Sequence, residues 1–404
     1  MIFLPQYKYR GRTAQGVKKE GDVTGKSKKH VIEKLREQGI AMAQLEEVET
    51  SFLNQEIVIG NPVKLEHFVI FLRQFSTLLE SGVTIVDATN ILSKQTSSKP
   101  LMRALESIEE ELLSGSAFSD AAAKHKKIFP PIFINMVRSG EASGGLEEAL
   151  DQLAVQFEKE HETKQKIKSA LAYPIVIAFV AIAVVIFLLT SVVPMFASML
   201  TDVGGELPAI TRFVLGASDF VGGYWWLIIL FFLSIVIAII LLKRKPETKY
   251  YLDFFVLKIP IFGVLLQKSA IARMTRTLSS LLSSSVPILQ SLKIAEKVID
   301  NEVISQTVAS SRTALQEGRQ LTEPLQDSWV FPPLVVQMIS IGEATGSLDA
   351  MLGKIANFYE KEVEYATDRL KSLIEPILIV VLAVIVGVIV ISLIVPMFQI
   401  YNEI

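Results

Sequence analysis

Three segments of this chain are apolar over lengths that match the hydrocarbon core of a bilayer. A helix needs about 20 apolar residues to cross roughly 30 Å of hydrocarbon. The segments cover residues 172–199, 224–242 and 375–399, and Glu375, at the edge of the third, is the one charged residue among them. The N-terminal residues lack the pattern of a cleaved signal peptide. The sequence therefore predicts an integral membrane protein with three transmembrane helices.

The remaining composition restricts the chemistry of the chain. Half of the residues are hydrophobic and 20% are charged, so the charges are concentrated outside the three apolar segments in polar lobes. The absence of cysteine excludes disulfides, thiolate metal sites and a cysteine nucleophile. A formal net charge of −2 provides no overall field to attract nucleic acid. We therefore expect no nucleic-acid partner.

Basic residues are concentrated on one side of each apolar segment, and the loop 200–223 contains only Arg212. Cytoplasmic flanks of membrane proteins carry an excess of lysine and arginine. The N-terminus and residues 243–374 are thus predicted to be cytoplasmic, and the loop 200–223 and the tail 400–404 extracytoplasmic. The flanking basic residues are Lys164, Lys166, Lys168, Lys243, Arg244, Lys245, Arg369 and Lys371.

The chain contains an internal repeat with a spacing of about 202 residues. Phe129-Pro130-Pro131 recurs as Phe331-Pro332-Pro333, and Gly140-Glu141-Ala142-Ser143-Gly144 recurs as Gly342-Glu343-Ala344-Thr345-Gly346. Pro174 in the first apolar segment likewise matches Pro376 in the third. Each repeat is therefore a cytoplasmic lobe followed by one spanning helix, and the second span returns the chain to the cytoplasm.

Apolar residues within the lobes recur at helical spacing, which predicts a bundle of about six helices in residues 63–171 and another in 243–374. Phe-Pro-Pro should start a helix in each lobe, because proline is favoured in a first turn. Gly140 or Gly342 is expected to end that helix. The next helix should continue into the membrane and kink at Pro174 or Pro376.

The first 50 residues differ from the lobes. Alternation between Tyr7 and Gly25 predicts short strands, followed by a helix over Val31 to Gln38. Residues 51–62 are expected to be a linker. The predicted fold is thus a mainly α membrane protein with two homologous cytoplasmic bundles, three transmembrane helices and a small N-terminal α+β region.

The duplicated Gly-Glu-Ala-Ser/Thr-Gly motif is the candidate functional site. It predicts a tight turn between helices, in which the glycines supply positive φ and Glu141 or Glu343 caps the backbone of the following helix. The same acids could instead dock a partner protein. Both roles are compatible with the sequence.

Other candidate sites are weak. Gly21 to Ser27 resembles a phosphate-binding loop but has three residues between its glycines instead of four, which favours a β-turn. The four histidines are isolated, and Glu141, Glu147 and Glu148 lack the alternating ligands of a calcium loop. We therefore expect no cofactor, no metal site and no catalytic residues.

Two copies of Phe-Pro-Pro followed by Gly-Glu-x-x-Gly-x-Leu, each leading into a spanning helix, resemble the F family of type II secretion. These are inner-membrane platform proteins of type IV pilus assembly and type II secretion. The resemblance covers nearly the whole chain. It departs at Ser285, where members usually have glycine, and at Gly144-Gly145 before Leu146.

The resemblance implies a non-enzymatic, multi-pass protein of the inner membrane. Its lobes would contact a hexameric assembly ATPase, and its spans would contact pilin or pseudopilin subunits within the lipid bilayer. Other inner-membrane assembly proteins and further copies of the chain are also implied partners. A pilus, a competence pilus and a secretion pseudopilus all use such a component, so the sequence leaves the choice among them open.

Two functions from other classes remain as alternatives. A small transporter or channel subunit would also have repeated membrane helices, but here the repeats are parallel and no ionisable residue lies deep within a span. A membrane-bound enzyme would need a nucleophile, a base and an orienting group, and the motifs supply no such set.

Overall fold

The computed structural model describes residues 6–13, 18–24, 28, 32, 40–48, 62–202, 208–243 and 245–403, which form two compact units, 1–62 and 63–404. The first unit contains a three-stranded antiparallel sheet in the order β2-β1-β3. The predicted strands are confirmed as β1 (Gln6–Thr13) and β2 (Lys18–Thr24), whereas β3 (Ile40–Val48) was not anticipated. Gly21 to Thr24, where a β-turn was favoured, belong to strand β2, so that part of the prediction is wrong. Residues 25–27, and most of the helix predicted over 31–38, lie outside the described residues.

Two helical bundles follow, here called lobe 1 (63–171) and lobe 2 (243–374). Each bundle contributes six helices that match in order, and lobe 2 has one additional helix at its start. The bounds in lobe 1 are α1 Leu65–Glu80, α2 Ile85–Gln95, α3 Lys99–Leu113, α4 Phe118–Ala123, α5 Pro131–Ser143 and α6 Leu146–Phe187. After α6 come a π-helical turn, Leu188–Val192, then α7 Val193–Asp202 and α8 Ala209–Leu242. The bounds in lobe 2 are α9 Pro246–Lys258, α10 Phe262–Ser283, α11 Ile288–Val298, α12 Glu302–Gln316, α13 Glu323–Gln326, α14 Pro333–Thr345 and α15 Leu348–Glu403.

The repeat extends to the start of individual helices. Helices α5 and α14 begin at Pro131 and Pro333, as the Phe-Pro-Pro motifs predict. Phe129 and Phe331, the first residues of these motifs, are buried in the cores of their lobes. Proline therefore starts the helix while the preceding phenylalanine anchors it.

The two lobes fill equivalent cores with different side chains. Lobe 1 uses a cluster of phenylalanine rings whose centroids lie between 4.8 and 6.1 Å apart, in the range of favourable aromatic pairs. Lobe 2 buries aliphatic and thioether side chains at most of the matching positions. The rings belong to Phe68, Phe71, Phe75, Phe118, Phe129, Phe133 and Phe157. The lobe 2 positions include Ile271, Met274, Leu278 and Val335.

Three helices are long and apolar enough to cross a membrane, which confirms the predicted number of spans: Leu146–Met199, Ala209–Leu242 and Leu348–Val395. The helices α6 and α15 continue from the lobes into the first and third spans without a break. Pro174 and Pro376 lie within them, and the predicted kink at these prolines stays a prediction.

The second span differs from expectation at its start. The segment predicted as a loop, 200–223, contains the first part of α8, which begins at Ala209 and has non-helical dihedral angles at Tyr224. Val214 of α8 packs against Val193 and Ile389 of the neighbouring spans. The Ser218 hydroxyl donates a hydrogen bond to the carbonyl of Leu189 in the π-helical turn, where the backbone bonding pattern is irregular.

The turn between α10 and α11 contains a strained residue. Ser285 has a φ of 59°, in the left-handed region, and Gly82 occupies the equivalent position of lobe 1 with a φ of 81°. We expect Ser285→Gly to raise the free energy of unfolding by about 0.5 to 1 kcal/mol, because glycine adopts this conformation without steric strain. Thermal unfolding of the detergent-solubilised chain measures the change. Ser283→Gly, at the end of α10, should destabilise instead, and a gain there would contradict this explanation.

Candidate functional site at the repeated turns

The two glycines of each motif have different structural roles. Gly144 and Gly346 follow α5 and α14 and have positive φ values of 77° and 69°, as predicted. The prediction that Gly140 or Gly342 ends the helix is wrong, because both lie inside their helices. A β-carbon at Gly140 would lie 2.9 Å from that of Ala149, and one at Gly342 would lie 2.9 Å from the α-carbon of Leu348. These inner glycines therefore permit close packing of two successive helices.

The motif glutamates cap a segment that precedes them. Glu141 accepts hydrogen bonds from the backbone N–H of Ser119, at 3.2 and 3.3 Å, near the start of α4. Glu343 accepts one at 2.9 Å from the N–H of Leu321, in the corresponding turn of lobe 2. The prediction that they cap the following helix is wrong: α6 has Gly145 as its N-cap and no side-chain cap. Each glutamate thus joins α5 or α14 to the turn before it, and its docking role stays a prediction.

A second duplicated feature, which the sequence analysis missed, joins α1 to α6 in lobe 1 and α10 to α15 in lobe 2. Arg73 of α1 contacts both carboxylate oxygens of Glu158 on α6, at 2.6 and 2.7 Å. Arg276 of α10 does the same with Glu360 of α15, at 2.8 Å for both contacts. The arginines match at a spacing of 203 residues and the glutamates at 202. A comparison of the two copies for paired opposite charges could have found it.

The lobe 1 ion pair makes stability depend on pH. The hydrogen bond from Arg73 holds the pKa of Glu158 below its usual value near 4.5, although partial burial acts in the opposite direction. A depressed pKa in the folded state stabilises the protein fully above the unfolded value and loses this effect as the pH falls through the folded value. We expect the difference in melting temperature between wild type and Glu158→Gln to be largest at pH 6 to 8 and to shrink below about pH 4.5. A difference independent of pH would contradict the assignment.

The motif turn of lobe 1 lies against lobe 2. The Ser139 hydroxyl donates to the carbonyl of Ser284 at 2.5 Å, and the Ser284 hydroxyl donates to Gln152 at 2.6 Å. A small cavity beside Gly140 is lined by both turns, including Gln152 and Ser283 to Ser285. Deeper in the contact, the Ser280 hydroxyl donates to the side chain of Gln156 at 3.1 Å. The turn of lobe 1 is therefore part of an interface between the lobes.

Apolar side chains and charges extend this interface. Leu281, Val286 and Ile294 of lobe 2 belong to the same buried cluster as the core of lobe 1. Closer to the membrane, Lys166 of α6 forms an ion pair with Glu364 of α15 at 2.9 Å. The shared apolar core and this ion pair join the two lobes.

Acidic side chains near the motif turns form no metal-ligand cluster among the described residues. In that part of the chain, no three histidine, aspartate or glutamate side chains lie close enough to hold a metal ion. Glu147 and Glu148 are exposed on the first turn of α6, while Glu141 is engaged by the backbone of Ser119. The arrangement is suited to holding helices in fixed positions.

Comparison with known proteins shows two family matches within the chain. The model for "Type II secretion system (T2SS), protein F" matches twice, at residues 71–194 and 274–396, which are the two repeats. The model for the N-terminal domain of type II secretion system protein F matches residues 4–45. The matched segments together cover most of the chain.

Full-length relatives agree with these matches. The chain is 39% identical over 401 residues to a type IV pilus assembly protein PilC of Thermus thermophilus, with 98% of each chain covered. It is 34% identical to a PilC of Myxococcus xanthus, covering 99% of this chain and 96% of the relative. It is 31% identical to a type II secretion system protein F of Aeromonas hydrophila, covering 94% of this chain and 98% of the relative.

Proposed function

Because this chain belongs to the type II secretion system protein F family, we propose that it is the inner-membrane platform of a machine that assembles a type IV pilus or a secretion pseudopilus. In this role it couples a cytoplasmic, hexameric assembly ATPase to the insertion of pilin or pseudopilin subunits into a fibre. The platform performs no catalysis itself. Its N-terminus and both lobes face the cytoplasm, and its C-terminus lies on the other side of the membrane.

The continuity of α6 and α15 with the spanning helices carries this proposal. With a rise of about 1.5 Å per residue, the 56 residues of α15 extend over roughly 80 Å, from the core of lobe 2 through a bilayer. Leu352 and Ile355 of the same helix are buried in lobe 2. A displacement of a lobe would therefore move a span directly, without a flexible joint between them.

The two lobes suit a coupling role because they are held together firmly. They share buried apolar residues, and Gln152, Gln156 and Lys166 of α6 contact lobe 2 directly. Work done by an ATPase on one lobe would reach both spans that leave the lobes. Pilin helices would then contact the exposed apolar surfaces of those spans within the bilayer.

Breaking the helical continuity tests the proposal. A five-residue Gly/Ser insertion after Lys166 in α6, or after the equivalent Asp368 in α15, should reduce fibre number or secretion at least about tenfold, because flexible segments do not transmit force. Both positions are exposed, so the lobes should remain folded. Electron microscopy of fibres and immunoblots of membrane fractions measure assembly and insertion of the protein.

The matched control is the same insertion after Gly318, an exposed turn between α12 and α13 with a φ of 77°. This variant should assemble fibres at the wild-type level. Normal fibre assembly by both helix-insertion variants would overturn the coupling role. Loss of assembly that occurs only in variants missing from the membrane would overturn it as well.

A further inference from the structure

The two lobes have equivalent faces, but only one of them is covered within the chain. On lobe 1, the face formed by α5 and α6 contacts lobe 2 through Ser139, Gln152 and Gln156. The same face on lobe 2, formed by α14 and α15, has Ile341, Lys354 and Phe358 at these positions, and all three are exposed. The internal repeat therefore leaves one copy of this contact surface free.

The free face on lobe 2 is more apolar than its covered counterpart. Ile341 is 52% exposed, Phe358 is 47% exposed and Leu334 is 45% exposed. Their equivalents on lobe 1 are Ser139, Gln156 and Ile132, of which Gln156 and Ile132 are only 3% exposed. Large apolar side chains grouped on an exposed face mark an interaction site. We call Leu334, Ile341 and Phe358 the α14–α15 face.

Lobe 1 has the complementary free surface. Within the chain, the covered face of lobe 1 is met by α10 and the following turn, through Thr277, Ser280 and Ser284. The equivalents on lobe 1 are Gln74, Thr77 and Ser81, which are all exposed. Ile70, equivalent to Arg273 at the same interface, is 48% exposed. We call Ile70, Gln74, Thr77 and Ser81 the α1 face.

The two free surfaces are complementary in charge and in apolar character if they meet in the same arrangement as their equivalents in the covered interface. Ser283 lines the cavity that also holds Gln152, and their equivalents are Glu80 and Lys354, which are exposed and of opposite charge. Gln156 and Arg273 line a second cavity in the covered interface. Their equivalents, Phe358 and Ile70, would form an apolar contact. Hydrogen bonds of the covered interface are thus replaced by an ion pair and apolar packing.

The membrane topology is compatible with the same contact between copies. Parallel repeats are related by an axis along the membrane normal. If a second copy of the chain is placed by the same rotation, every lobe of both copies lies on the same side of the bilayer. A contact between unlike surfaces forms a closed ring when the rotation closes.

We propose that the α14–α15 face of lobe 2 binds the α1 face of lobe 1 in a second copy of this chain. The contact repeats the interface between the lobes, so two copies place four lobes in head-to-tail order. This inference rests on the internal repeat and is independent of the proposed coupling role.

Crosslinking tests the contact directly, because the chain contains no native cysteine. Full-length Ser81→Cys carrying one tag and full-length Lys354→Cys carrying another are expressed together, and membranes are treated with a short bismaleimide. We expect a crosslinked dimer that carries both tags. Ser284→Cys with Gln152→Cys in one chain is the positive control, since these side chains are 2.6 Å apart in the covered interface.

Three outcomes would overturn the proposal. The first is the absence of the mixed dimer although the control pair reacts. The second is linkage only between identical variants, which would indicate a symmetric contact of one face with itself. Capture of another protein by Lys354→Cys without the mixed dimer would assign the face to that partner and also overturn it.

Charge exchange provides a second, independent measurement. Lys354→Glu alone should reduce copurification of two differently tagged copies by up to about fivefold, the effect of one exposed ion pair. Lys354→Glu combined with Glu80→Lys should restore it. Phe358→Asp should reduce copurification further, since it places a charge in the apolar contact. Copurification unchanged in Lys354→Glu and in Phe358→Asp would overturn the contact.

Discussion

Replacing Gly140 or Gly342 with valine is expected to destabilise the protein by about 3 kcal/mol, near the upper end of the usual cost of overpacking. A β-carbon at Gly140 meets not only Ala149 but also the α-carbon of Leu146, at 3.0 Å. Backbone atoms cannot rotate away as a long side chain can, so the two helices must separate. Thermal unfolding of the full-length chain in detergent measures the loss.

A nearby glycine serves as the control for this substitution. At Gly145 a β-carbon would meet one atom, the Ser143 hydroxyl oxygen, at 3.5 Å, and its φ of −101° is open to other residues. Gly145→Ala should therefore change stability by less than about 0.5 kcal/mol, as usual for substitutions away from the core. Equal losses for Gly140→Val and Gly145→Ala would show that the whole turn is sensitive, and would refute the close-packing role of Gly140.

The glycines also show which structural roles can be predicted from the local sequence and which cannot. The sequence predicted a turn at each motif, and Gly144 and Gly346 adopt the expected left-handed conformation. It placed the end of the helix at Gly140 because glycine is a common helix terminator. A glycine that permits the close approach of another helix cannot be distinguished in the sequence from one that ends a helix. Only the packing of α6 on α5 separates the two roles.

Contacts between residues distant in the sequence were harder to predict than the architecture. The repeats and spans were predictable because they follow from self-similarity and from runs of apolar residues. The partner of Glu141 was not, because the hydrogen bond to Ser119 joins residues 22 positions apart across a turn. The contact between the lobes, such as Ser284 with Gln152, joins residues 132 positions apart and has no local signature.

Equivalent positions of the two repeats differ in burial for a physical reason. Gln156 and Phe358 occupy the same place in the repeat, but Gln156 is covered by lobe 2 and Phe358 is exposed. Duplication produces two copies of each surface, while the chain can pair only one of each within itself. Sequence comparison finds the copies, and the structure shows which one remains unpaired.

Removing the arginine of the duplicated ion pair should have unequal effects in the two lobes. The side chains of Arg276 and Glu360 are 16% and 19% exposed, whereas those of Arg73 and Glu158 are 40% and 32% exposed. Arg276→Met should cost about 2 to 3 kcal/mol, because it leaves a largely desolvated carboxylate without its partner. Arg73→Met should cost about 1 kcal/mol or less, since water compensates an exposed carboxylate. Thermal unfolding of the full-length variants gives the comparison.

A double-mutant cycle separates the ion pair from the packing of the arginine side chain. Removing both partners, as in Arg276→Met with Glu360→Met, should be less destabilising than Arg276→Met alone, because no unpaired charge then remains in the lobe. In lobe 1 the Glu158→Met substitution should recover little of the loss from Arg73→Met. Equal costs in the two lobes would mean that burial does not determine the strength of these pairs. A larger loss in lobe 2 would instead show that this lobe depends more strongly on its charged contact between α10 and α15.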